Sequence, residues 1–131
     1  MTLPTWMVYG FYGNALLDLV VFLVPGSIGV GDLINKKFQA GKKGAEFDQL
    51  IEHFNRVGGF AFLLHGAVRF CAGYCQTVDM IYLALFSYAL EVAQLLYFIS
   101  KGCAAPKNWL VFLGITIWSS VILHFGLGYW A

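Results

Sequence analysis

Every lysine of this chain lies in one of two short segments, and long apolar stretches fill most of the remaining sequence. The two segments are Lys36–Lys43 and Lys101–Lys107. Only 11% of the residues are charged and 60% are hydrophobic, whereas a typical soluble domain carries about 25% charged residues. A chain with this pattern is expected to fold with its apolar stretches inside a membrane and its lysine segments outside it.

Four apolar windows are long enough to cross the hydrocarbon core of a bilayer, which requires about 20 residues of helix. They are Pro4–Val24, Val57–Tyr74, Met80–Ser100 and Trp109–Tyr129. Because these windows occupy about 80 residues of the chain, no separate soluble domain remains. The sequence therefore predicts an all-α integral membrane protein with four transmembrane helices in a single domain, residues 1–131.

The number of crossings also predicts how the chain is oriented. Four crossings place both lysine segments on one side, and they place the N-terminus, the turn near Cys75–Asp79 and the C-terminus on the other. The second group contains no lysine or arginine. Positive charges in short loops are retained on the cytosolic side, or on the matrix or stromal side in an organelle. We therefore predict that both termini face away from the lysine-rich side.

The first lysine-rich loop ends in a predicted short amphipathic helix, Ala45–Phe54. Its apolar side chains recur at the i, i+3, i+4 and i+7 spacing of one helical face, which indicates a helix lying on the membrane surface or on a partner before the chain turns into the second span. The lysines upstream are candidates for binding anionic lipid headgroups, with a plain solvated loop as the alternative. These lysines are Lys36, Lys37, Lys42 and Lys43.

The second predicted span carries glycines at a seven-residue interval, namely Gly59, Gly66 and Gly73. This interval keeps the glycines on one stripe of a helix, where small residues let two helix backbones approach closely in lipid. Arg69 lies on the same stripe. Its side chain is therefore predicted to point toward protein rather than toward lipid.

Several polar residues fall inside the predicted spans. Burying such residues in a membrane costs free energy, so they are expected to pair with one another or to have a functional role. At about 1.5 Å of rise per residue, the first three spans bring their ionisable residues close enough to form one network. Glu91 then pairs with either Arg69 or His65. Asp18 is left to bond with Asn14, with Gln94 or with another protein. The charged, amide and histidine residues inside the four predicted spans are Asn14, Asp18, His65, Arg69, Glu91, Gln94 and His124.

Three roles remain open for this network at the level of the sequence. It can fix how the helices pair, it can dock the spans of a partner, or it can conduct protons or ions. Polar contacts between helices commonly serve pairing, and the carboxylates here are too few to form a ladder across the membrane. Gln94, which lies one turn from Glu91, belongs to the same predicted contact surface.

Motifs for other chemistry do not occur in the sequence. It contains no GxSxG, HExxH, phosphate-binding or dinucleotide-binding pattern. His65 and His124 are expected at depths that differ by about 10 Å, which argues against paired haem ligation. The clustered lysines are explained by topology rather than by nucleic-acid binding. We therefore predict no catalytic residue, no metal site, and no cofactor apart from structural lipids.

A further pattern lies in the segment Arg56–Pro106. Two arginines stand thirteen positions apart, the first in Arg56-Val-Gly-Gly-Phe and the second in Ala67-Val-Arg-Phe. Phe86-Ser-Tyr-Ala-Leu and Ala104-Ala-Pro follow in order. In these residues the chain resembles the small four-helix membrane scaffold family of sterol synthesis, ergosterol biosynthetic protein 28. That family's histidine and glutamate late in the third span have no counterparts here.

The resemblance implies a non-catalytic protein that holds membrane enzymes together at the endoplasmic reticulum. A subunit of a bioenergetic complex, such as a respiratory enzyme or ATP synthase of the mitochondrial inner membrane, remains open beside it. We therefore predict a scaffold or accessory subunit without enzymatic activity, whose partners are integral membrane subunits and lipids. A small transporter or proton-conducting protein is the alternative.

Overall fold

The computed structural model describes residues 2–24, 45–100 and 106–130, and every regular element within these ranges is an α-helix. The helices are α1 (Thr5–Leu23), α2 (Ala45–Cys75), α3 (Val78–Ser100) and α4 (Pro106–Trp130). The predicted all-α class is therefore confirmed. Each of the four predicted spans coincides with one helix or lies inside it, with a difference of one residue at either end of α1.

Length and composition indicate which described segments suit a membrane. Thr5–Leu23 and Arg56–Cys75 are both long enough and apolar enough to cross one, and Leu113–Phe125 forms a shorter apolar helix. Large apolar side chains are also exposed on the surface, for example Leu64 and Leu110. These features agree with the predicted membrane protein.

The predicted surface helix Ala45–Phe54 is not a separate element. The segment is helical, but it continues into the second span as part of α2, which has 31 residues and is about 46 Å long. The predicted turn between the two is wrong. No proline interrupts this part of the chain, and Arg56 forms an ion pair of 2.6 Å with Glu52, one helical turn earlier. Both features favour an uninterrupted helix.

The predicted headgroup-binding lysines lie outside the described residues. They are Lys36, Lys37, Lys42 and Lys43. Whether they bind anionic lipids therefore stays a prediction from the sequence.

A two-residue turn joins α2 to α3 and also holds the start of the chain. Gln76 has a φ of 52°, a left-handed conformation of the kind that commonly ends a helix. Its side-chain Oε1 accepts a hydrogen bond of 2.9 Å from the backbone N–H of Leu3. Thr77 Oγ1 accepts a hydrogen bond of 3.4 Å from the N–H of Met80 and so caps α3. The start of the chain and this turn therefore lie at the same end of the bundle.

The largest buried apolar cluster draws on the start of the chain and on all four helices. Within the fold, α1 packs most extensively against α2. Phe11 is fully buried in this cluster, and its ring meets the Trp118 ring edge-on at 6.5 Å. The cluster consists of Leu3, Met7, Phe11, Ala72, Ile81, Ala84, Tyr88, Ile115 and Ile122.

Candidate functional site

The candidate site is centred on a buried arginine in α2. Arg69 is 1% exposed, and the two carboxylates beside it, Asp18 and Glu91, are 5% and 3% exposed. Arg69 Nη1 donates a hydrogen bond of 2.7 Å to Asp18 Oδ2 of α1, and Nη2 donates to Glu91 Oε2 of α3. The guanidinium presents several donors in a rigid fork, so one arginine can pair with two carboxylates. One side chain thus joins three helices.

Further contacts from α3 fix the guanidinium in place. Arg69 Nε donates to Ser87 Oγ at 3.3 Å, and Ser87 in turn donates to the carbonyl oxygen of Ala84 at 2.7 Å. The Tyr88 ring lies against the guanidinium, with 4.0 Å between the Arg69 Cζ and the ring centroid. This is a cation–π contact, which is strengthened when both groups are removed from water. The arginine is therefore held by hydrogen bonds and by an aromatic face.

The fourth helix joins the network through a tryptophan. Trp118 Nε1 of α4 donates a hydrogen bond of 2.9 Å to the Tyr88 hydroxyl. On its other side the indole ring packs directly on Gly10 of α1, where an added Cβ would overlap ring atoms. Polar and aromatic contacts around Arg69 consequently link all four helices.

The glycines of α2 provide the close approach between α1 and α2 beside this ion pair. A Cβ added at Gly66 would lie 2.9 Å from the Cβ of Asp18, and one added at Gly73 would lie 3.0 Å from a ring carbon of Tyr12. At Gly59 the nearest atom would be 3.6 Å away, which is an ordinary contact. The space for a Cβ is therefore tightest at the two glycines that flank the arginine along α2.

Two residues expected in the network do not bond to it. His65 and Gln94 are half-buried, and neither forms a hydrogen bond with Arg69 or Glu91. The alternative pairing of His65 with Glu91 therefore does not occur in the structure. Arg69 takes this position because its long side chain and several donors reach both carboxylates, whereas a neutral imidazole has one N–H to donate.

Asp18 has a different partner from the one expected. The sequence left Asp18 to bond with Asn14, Gln94 or another protein, and the structure pairs it with Arg69 instead. Asn14 Nδ2 donates to the carbonyl oxygen of Gly10, one turn earlier in α1, at 2.8 Å. The Asn14 side chain thus forms its hydrogen bond within its own helix, although it lies on the same face as Asp18.

Sequence reasoning missed three residues of the site. Ser87 bonds back to the Ala84 carbonyl oxygen of its own helix and also accepts a hydrogen bond from Arg69. Tyr88 and Trp118 were not singled out. One signal was available, because Ser87 and Glu91 are four residues apart and share one face of α3. No comparable signal pointed from α4 to Tyr88.

A cavity of about 390 Å³ opens beside the ion pair, among all four helices. Its walls are mainly apolar. Its polar lining comes from Arg69, from the two carboxylates that pair with it, and from Asn14. The apolar lining residues are Leu17, Val21, Phe62, Gly114, Ile115 and Trp118, and the polar ones are Asn14, Asp18, Arg69 and Glu91.

The described part of the chain also contains residue types that can bind metals, and thiols. Within residues 2–24, 45–100 and 106–130, no group of three or more histidine, cysteine, aspartate or glutamate residues is placed to hold a metal ion. Cys71 and Cys75 are free and exposed.

Comparisons of the chain with models of known families, with curated proteins and with solved structures find no match. The resemblance to the sterol-synthesis scaffold family therefore stays a prediction.

The contact between Trp118 and Gly10 leads to a first testable prediction. Gly10→Ala is expected to lower the free energy of unfolding by about 1–3 kcal/mol, because the new methyl group overlaps an indole ring that Tyr88 holds in place. The measurement is thermal unfolding in detergent, followed by circular dichroism. Gly13→Ala is the matched control, since a Cβ at Gly13 meets nothing within 4 Å. Equal losses in both variants would contradict the prediction.

Proposed function

We propose that this protein is a non-catalytic scaffold or accessory subunit of a multi-subunit membrane complex, and that all four helices cross the membrane. The observation that carries the proposal is the two ion pairs that Arg69 forms with Asp18 and Glu91. These charged side chains meet at one point and bind three helices together. A structural role of this kind is common for polar residues between membrane helices.

The exposed surface supports contact with lipid or with neighbouring subunits. Tyr74 is 73% exposed, Leu64 69% and Tyr9 68%. In water, so many exposed apolar side chains would favour aggregation, whereas in a membrane they contact lipid chains or the spans of partners. The chain is small, at 14.6 kDa, and a partner's spans would cover part of this surface.

Two kinds of complex fit the proposal. One is a sterol-synthesis assembly at the endoplasmic reticulum, which the sequence resemblance favours. The other is a respiratory enzyme or ATP synthase of the mitochondrial inner membrane. Cell fractionation with markers for both membranes distinguishes them, because each assembly resides in its own compartment.

Purification in a mild detergent tests the scaffold proposal. We expect the chain to migrate in a complex much larger than its own 14.6 kDa, with integral membrane subunits at a fixed ratio. Depletion of the chain is expected to reduce the amount of that complex. A solitary monomer, together with an unchanged amount of every neighbouring membrane assembly after depletion, would contradict the proposal.

A small transporter or proton-conducting protein is the second candidate, because the 390 Å³ cavity reaches Asp18 and Glu91. Reconstitution into liposomes tests it by measuring proton flux. Under the scaffold proposal, flux does not exceed that of empty liposomes. If flux is present, abolished by Glu91→Gln and unaffected by Glu52→Gln, an exposed carboxylate outside the cavity, the transport function replaces the scaffold.

A further inference from the structure

The cavity beside Arg69 combines apolar walls with a charged floor. Its volume of about 390 Å³ falls in the range of about 300–1,000 Å³ that is usual for small-molecule sites. Leu17, Val21 and Phe62 supply apolar wall, and two buried carboxylates line the polar part. Sites of this composition hold the apolar body of a ligand by burial and orient its polar group by a few hydrogen bonds.

The charge of the floor favours a cation. Arg69 contributes one positive formal charge, whereas Asp18 and Glu91 contribute two negative ones. The group therefore carries one net negative charge when both carboxylates are ionised. Buried charges of this kind are costly unless they are paired. An additional positive group in the cavity would complete the pairing.

The groups of the cavity lining that are still free to form hydrogen bonds are acceptors. Arg69 donates to Asp18 Oδ2 and Glu91 Oε2, and no other described residue donates to the remaining oxygen of either carboxylate. Asn14 Nδ2 is engaged by the carbonyl oxygen of Gly10, which leaves Asn14 Oδ1 as an acceptor. All three of these oxygens accept hydrogen bonds. A ligand that completes the site must therefore bring donors.

We propose that this cavity binds an amphiphile with a primary ammonium head and an apolar chain. The ammonium has three N–H donors and one positive charge, which match the free acceptors and the net charge of the floor. The chain would lie against Leu17, Val21 and Phe62. This inference goes beyond the scaffold function and does not depend on it, since the site lies inside one copy of the chain.

Three probes that differ only in their head group test the proposal on the natural chain. They are dodecylamine, dodecanol and dodecanoate, added to protein in phosphatidylcholine nanodiscs at neutral pH. Native mass spectrometry then counts the molecules retained on each released chain. One dodecylamine per chain is expected, with at least about tenfold stronger retention than for either other probe, because charge-assisted hydrogen bonds are the stronger ones. Equal retention of the three probes, or no retained dodecylamine, would overturn the proposal.

A blocking variant tests the location of the site. Gly114 lines the cavity, and a Cβ added there meets nothing within 4 Å, so Gly114→Leu is expected to place its side chain in part of the cavity. Gly13→Leu is the matched control, because Gly13 also has open space but does not line the cavity. Dodecylamine retention is expected to fall at least about tenfold in the first variant and to persist in the second.

Two results with these variants would place the ligand elsewhere and overturn the assignment. One is unchanged retention in Gly114→Leu, and the other is loss of retention in both variants. Circular dichroism of each variant in nanodiscs checks that the helices are intact. If Gly114→Leu fails to fold, the comparison of the three head groups on the natural chain still decides the proposal.

Discussion

Replacing Arg69 with leucine is expected to destabilise the protein by about 3–5 kcal/mol, the usual cost of removing one partner from a buried ion pair. The substitution leaves Asp18 and Glu91 buried side by side without their cation. It also removes the hydrogen bond to Ser87 and the contact with the Tyr88 ring. Equilibrium unfolding in detergent, followed by helical circular dichroism, measures the loss.

Arg56→Leu is the matched control on the same helix. The Arg56 side chain is 68% exposed and, among the residues that the structure describes, it pairs with Glu52, one turn away. An exposed pair of this kind contributes about 0–1 kcal/mol. If the two variants lose equal stability, the buried network does not hold the bundle together.

A triple variant separates the charge effect from loss of packing. Combining Asp18→Asn and Glu91→Gln with Arg69→Leu removes all three formal charges. Because amides are less costly to bury than unpaired carboxylates, we expect the triple variant to regain part of the stability lost in Arg69→Leu. If the triple variant regains no stability, the loss in Arg69→Leu comes from packing and not from unpaired charge.

Gly66→Leu is expected to separate α1 from α2 and to lower the free energy of unfolding by about 3 kcal/mol or more. A Cβ at Gly66 would already lie 2.9 Å from the Cβ of Asp18 and 3.2 Å from the carbonyl oxygen of Ala15. Neither of these atoms is the free end of a flexible chain. A leucine must therefore push the helices apart next to the Arg69 ion pair. Cysteine cross-linking between α1 and α2, together with unfolding in detergent, reports both effects.

Gly13→Leu serves as the control for this second prediction. Gly13 lies on α1, is exposed, and has nothing within 4 Å of an added Cβ. Leucine also has a higher helix propensity than glycine, by up to about 1 kcal/mol. The control is therefore expected to keep its stability or to gain slightly. If Gly66→Leu behaves like Gly13→Leu, close contact at Gly66 contributes nothing to the fold.

Much of the secondary structure was predictable because its cause is local. The apolar runs that form α1, α3 and α4 are long enough to be helical whichever neighbours they pack against. Gln76 lies in the turn that was expected between the second and third predicted spans. The continuity of α2 through Arg56 was missed. The periodicity of Ala45–Phe54 correctly indicated a helix, but it carried no information about whether the chain bends after it.

Sequence by itself determined that Arg69 must face protein, because it lies on a glycine stripe within an apolar span where an unpaired charge is costly. It also limited the partners to a few polar residues on neighbouring spans. Only the tertiary structure decided that Asp18 and Glu91 share the arginine while His65 stays outside. The relative rotation and depth of the helices select among these pairings, and helical spacing within one segment does not specify either quantity.

The contact of Trp118 with Gly10 and Tyr88 illustrates the same limit. Nothing local to α4 specifies which helix its indole ring will meet. That choice follows from packing all four helices around the buried charges of Asp18, Arg69 and Glu91, where shape and hydrogen bonding must be satisfied together. Sequence therefore determined the helices and their buried charges, and tertiary packing decided their partners and the cavity that lies beside them.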